Sequence, residues 1–142
     1  MAEETLVKEP LTTEMIEVGR DMTSRLLDNG FELACSLWFY DAESNRWRLV
    51  LASPVVDLEG PIRAYEQIEE ILQDNWEMGI WLRDISAVGA TDPLVAGFRS
   101  LGRIELLRPR HATADRVTTA RRYTRGRVGD NFVEDAYVYL VA

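Results

Sequence analysis

Two apolar segments, Phe31–Asp41 and Trp47–Ser53, lie five residues apart and constrain the fold more than any other part of this 142-residue chain. The linker between them, Ala42-Glu43-Ser44-Asn45-Arg46, is polar and turn-prone, so the pair reads as an antiparallel hairpin. Pairing Asp41 with Trp47 puts Leu33, Cys35, Leu37 and Phe39 on one face with Trp47, Leu49 and Leu51. That face is wholly apolar and demands cover, whereas Trp38, Tyr40, Arg48 and Val50 fall on the other. A slip of one residue would carry arginine into the core, so this register is the expected one.

Helical patterns flank the hairpin. Met15, Val18, Met22 and Leu26 recur at three- and four-residue steps within a helix expected over Thr13–Asn29. Thr12 stands as its N-cap, Leu11 and Ile16 as a hydrophobic staple, and Gly30 as its left-handed stop. Pro54 ends the second strand and Val55–Gly60 reads as a connection. Pro61 opens a second helix reaching about Glu77, with Ile62, Tyr65, Ile68, Leu72 and Trp76 facing inward and Glu66, Glu69, Glu70, Asp74 and Glu77 outward. Further strands are expected over Ile80–Val88, Arg103–Leu107, Val117–Val128 and Ala136–Val141. Asp92-Pro93 starts a short helix that Gly102 stops, Pro109–Ala114 is a loop, and Gly129-Asp130-Asn131 is a turn. The order predicts one α+β domain over 11–142, preceded by a loose lead-in over 1–10. Its sheet is mixed or mainly antiparallel, with about five to six strands, and two long helices and one short one pack on one side of it. If the closing Tyr137/Tyr139 strand lies at the sheet edge, it can pair with a second copy.

Chain length is ample for a core without staples. Apolar residues make up 46% and charged residues 28%, the balance of a globular rather than a disordered protein. No apolar run approaches the roughly 20 residues that span a bilayer, and the acidic start Met1-Ala2-Glu3-Glu4 is unlike a signal peptide. A single cysteine forms no internal disulfide, which fits a cytoplasmic protein.

The charge is unevenly spread. Residues 99–127 hold nine arginines against Glu105 and Asp115, a net of +7 inside a chain of −8, which leaves −15 for the rest. The candidate anion- or partner-binding residues are Arg108, Arg110, His111, Arg121, Arg122, Tyr123, Arg125 and Arg127. In a regular strand Arg121, Tyr123, Arg125 and Arg127 line one face, a surface suited to phosphates and stacked bases. The bland reading pairs these arginines with carboxylates of the same chain or of a neighbouring copy. Fifteen arginines stand beside one lysine, Lys8, which confines lysine chemistry to the N-terminal lead-in.

Catalytic sets are missing. One histidine and one cysteine exclude a metal site built from those two types, and Cys35 falls on the apolar strand face. No glycine-rich segment carries the lysine and hydroxyl of a phosphate loop. Asp57, Glu59, Asp84 and Asp92 lie near strand ends, where convergence could hold Mg²⁺, with His111 as a base. No cofactor is implied. The expectation is therefore a non-enzymatic interaction domain, self-associating or bound to an acidic protein partner through segment 108–127. The alternatives are a nucleic-acid-binding module on the Arg/Tyr face, or a small Mg-dependent phosphodiesterase or nuclease.

Overall fold

The computed structural model describes residues 7–72, 84–107, 117–118 and 120–142. The elements run α1 (Thr13–Asp28), β1 (Cys35–Asp41), β2 (Arg46–Ser53), α2 (Pro54–Glu59), α3 (Pro61–Leu72), β3 (Ile85–Gly89), α4 (Pro93–Leu101), β4 (Leu106–Leu107), β5 (Val117–Thr118), β6 (Arg121–Val128) and β7 (Asn131–Val141). The chain is an α+β domain whose main sheet has the order β3-β2-β1-β7-β6, with β4 and β5 forming a separate two-stranded pair. Among the described strand pairs of this sheet only β2–β3 is parallel, so the sheet is mixed.

The helix ends follow their capping residues. Thr12 accepts the Met15 N–H at 3.1 Å, and Gly30 leaves α1 with φ of 78°. Asp92 accepts the Leu94 N–H at 2.9 Å to start α4, and Gly102 stops it. The segment after Pro54, expected as a connection, instead forms the short helix α2, because the Ser53 hydroxyl caps it by accepting the Val55 N–H. The far end of the second predicted helix (73–77), the start of the third strand (80–83) and the loop 109–114 lie outside the described residues.

Three expectations about the sheet are corrected: the hairpin register, helices on one side only, and a closing strand at the edge. The hairpin is shifted by one residue: Asp41 pairs with Arg46, and Tyr40 with Trp47. Trp38 and Tyr40 therefore share a face with Trp47, Leu49 and Leu51, while Cys35 and Leu37 share the other with Val50 and Ala52. The shift is tolerable because helices cover both faces rather than one. The α1/α3 side packs Met22, Leu26, Ala64, Ile68 and Leu72 onto the first set, and α4 packs Val95 and Phe98 onto the second. Arg48 reaches the margin of the α4 side, where its Nε donates to Ser86 Oγ at 2.7 Å. With both faces apolar, the argument from one buried face loses its force.

The C-terminal strand β7 is interior, between β1 and β6, so it offers no free edge. Its register on β1 shifts between Ser36 and Leu37, and this bulge turns Tyr139 and Leu140 to the same α1 side. Tyr139 then donates to the Ile16 carbonyl at 2.6 Å, and Trp38 Nε1 to the Met15 carbonyl at 3.0 Å. Between these two rings sits Gly19. A Cβ there would come within 2.5 Å of both Trp38 Nε1 and the Tyr139 hydroxyl, so only glycine lets α1 lie this close to the sheet.

Candidate partner interface

Strand β6 carries four arginines of the island and forms one edge of the main sheet. Its inner edge pairs with β7, from Arg121 opposite Val138 to Val128 opposite Asn131. The side chains of Arg121, Arg122, Arg125 and Arg127 are all exposed.

They do not line one face. Arg121 and Tyr123 pair with Val138 and Ala136, on the α4 side, whereas Arg122 and Thr124 pair with Tyr137 and Asp135, on the α1 side. At Arg125 the backbone takes φ of 45° and the ladder is interrupted. Beyond it the alternation changes phase: Gly126 and Val128 lie opposite Val133 and Asn131 on the α4 side, which returns Arg127 to the side of Arg122. A left-handed non-glycine residue costs about 1 kcal/mol and is invisible in a strand-like pattern. Tyr123 is not a free stacking platform either. Its half-buried ring packs on Phe98 with centroids 5.3 Å apart.

Individual arginines differ in what holds them. Arg122 grips Asp135 with two hydrogen bonds, Nε to Oδ1 at 3.0 Å and Nη2 to Oδ2 at 2.8 Å. Arg125 lies 3.7 Å from Glu134 but remains 82% exposed, so that pair contributes little. Among the described residues no carboxylate reaches Arg121 or Arg127. Arg108, Arg110 and His111 lie outside the described residues.

A second feature was not expected from the sequence. Asp135 is only 1% exposed, and its Oδ2 also accepts from Lys8 Nζ at 2.6 Å. Burial pushes the Asp135 carboxyl upward, but the hydrogen bonds and charges of Arg122 and Lys8 outweigh it and hold the group below the usual aspartate range. The Lys8 ammonium lies 4.8 Å from the centre of the Tyr40 ring and 5.7 Å from that of Trp47. Backbone contacts anchor the same segment. Glu9 N–H donates to Asn45 Oδ1, Asn45 Nδ2 donates to the Val7 carbonyl, and Trp47 Nε1 donates to the Glu9 carbonyl, at 2.9, 3.0 and 2.8 Å. Residues 7–10 thus form an exposed strap across the hairpin. Its one signal in the sequence is the solitary lysine.

The candidate carboxylates for a metal are separately engaged. Asp57 accepts from the Ala90 N–H at 2.6 Å and from Thr91 Oγ1 at 2.7 Å, and the Thr91 hydrogen bond is the main cause holding it below the usual range. Asp84 pairs with Arg46 at 3.4 Å, Asp92 caps α4, and Glu59 ends α2. Among the described residues no three histidine, cysteine or carboxylate side chains gather as metal ligands would. Cys35 is fully buried, and burial is the dominant influence that pushes its thiol up to about 12, where the thiolate needed for nucleophilic chemistry is negligible. No described helix is long and apolar enough to cross a membrane.

No protein-family model, curated protein or solved structure matches this chain.

Proposed function

We propose that the chain is a non-enzymatic, cytoplasmic protein-interaction domain whose arginine-bearing edge strand β6 meets an acidic surface. The observation that supports this reading is the placement of four exposed arginines on an edge strand, two of them without a carboxylate partner among the described residues. An edge strand offers unpaired backbone groups, and flanking guanidinium forks favour a carboxylate-rich partner. Aromatic stacking, which nucleic-acid binding would use, loses its ring because Tyr123 is committed to Phe98.

A second copy is one source of acidic surface, since Glu66, Glu69 and Glu70 of α3 are exposed. Helix α3 packs beside β3, the edge opposite β6, roughly 19 Å away at four strand spacings. Pairing β6 of one protomer with α3 of another closes a twofold dimer where both contacts form at once, and otherwise runs head-to-tail into rings or open chains. A separate acidic partner needs neither arrangement.

Light scattering at about 50 mM and about 500 mM salt tests the reading, with oligoglutamate or a pool of short DNA and RNA as probes. The expected outcome is a salt-sensitive gain in mass, alone or with oligoglutamate, that is lost in an Arg121→Glu/Arg127→Glu variant. A gain with nucleic acid only, falling steeply with salt, transfers the surface to phosphate binding. No change under any condition overturns both.

A further inference from the structure

We propose that Asp135, Tyr40 and Trp47 form a binding site for a primary ammonium group on an extended peptide, which the chain's own Lys8 occupies. The arrangement has the parts that ammonium recognition needs. A carboxylate that is 1% exposed takes the N–H donors at 2.6 Å, and two aromatic rings stand 4.8 and 5.7 Å from the charge. Both rings are themselves buried and pack on each other with centroids 5.4 Å apart. The peptide on either side of the lysine is read as well. Asn45 holds the Val7 carbonyl and the Glu9 N–H, and Trp47 holds the Glu9 carbonyl.

Three observations distinguish this from an ordinary ion pair. Lysine occurs once in the chain against fifteen arginines, and its ammonium stands against the carboxylate and both rings, whereas the Arg122 fork approaches the Trp47 ring. Its partner is already gripped by Arg122 through two hydrogen bonds, so Lys8 can depart without leaving a buried carboxylate unpaired. The strap is exposed at residues 7–10 and is held through side chains of the hairpin rather than through packing of its own. Lys8 acts as a tethered ligand, and a lysine-bearing peptide in trans competes with it.

The test uses the full chain with Lys8→Ala and follows tryptophan fluorescence during titration with n-butylammonium, with n-butanol as the uncharged control. The variant should show a saturable response to the ammonium that is roughly tenfold tighter than in the wild type, where Lys8 competes. Acetyl-Val-Lys-Glu-Pro-amide should bind the variant through its lysine, gaining little beyond n-butylammonium while the backbone of Val7 and Glu9 still occupies Asn45 and Trp47. Adding Asp135→Asn should abolish both responses. If Lys8→Ala lowers the melting temperature, n-butylammonium should restore it and n-butanol should not. Equal effects of the amine and the alcohol, or no saturable response from the folded variant, overturn the proposal. These outcomes do not involve Arg121 or Arg127, so they are separable from failure of the edge-strand reading.

Discussion

Arg122 and Asp135 meet diagonally across the β6–β7 ladder, two residues off register, and close two hydrogen bonds of 3.0 and 2.8 Å. The arginine side chain is 46% exposed and the aspartate side chain 2%, so the pair joins the surface of the edge strand to the interior. The guanidinium also stands 5.9 Å from the Trp47 ring, which ties the edge strand to the first hairpin.

Replacing Arg122 by alanine leaves a buried carboxylate with only Lys8. The expected cost is about 2 kcal/mol, above the fraction of a kilocalorie of an exposed pair and below the 3–5 kcal/mol of a fully buried one. Urea unfolding of the variant checks it, and a loss under roughly 0.5 kcal/mol would show that Lys8 alone satisfies Asp135.

Acid should weaken the fold through the same residue. The native carboxyl is held below its unfolded value, so the unfolded state binds the proton more readily. The stabilisation is complete above the ordinary aspartate value of roughly 3.9 and falls as pH drops through the lower native one. Urea midpoints of wild type and Asp135→Asn should therefore stay apart at constant spacing above about pH 5 and converge below about pH 4.

Gly19→Ala should be destabilising by about 1–3 kcal/mol, because its methyl must displace Trp38 or Tyr139, both hydrogen-bonded to α1. Gly126→Ala is the contrast, since among the described residues the only neighbour of its Cβ is a carbonyl 3.9 Å away. It should be neutral or stabilise by up to about 1 kcal/mol. Thermal melts of the two variants decide the matter.

Cys35 should resist a disulfide reagent at pH 8 in the native protein and react at once in denaturant, given its burial and raised pKa. Fast labelling of the native protein would mean that β1 opens locally at its start.

The elements were legible in the sequence where a local signal defines them. Thr12, Gly30, Asp92 and Gly102 mark helix ends through chemistry confined to a few residues, and all four do so in the structure. Register was not legible. Asp41 opposite Trp47 is preferred only where one face is apolar, and α4 covers a second apolar face that makes the neighbouring register acceptable. The arginine face failed at one dihedral angle, that of Arg125, which no side-chain pattern encodes. Lys8 and Asp135 are 127 residues apart, and only the folded chain brings them together.

The position of β7 between β1 and β6 carries a consequence for synthesis. Until residues 131–141 have been made, β1 has one open side and β6 has no neighbour to join it to the rest of the sheet. Until then the open side of β1 can pair with other chains. Folding is then gated by the strand that arrives last, and its docking closes long loops slowly.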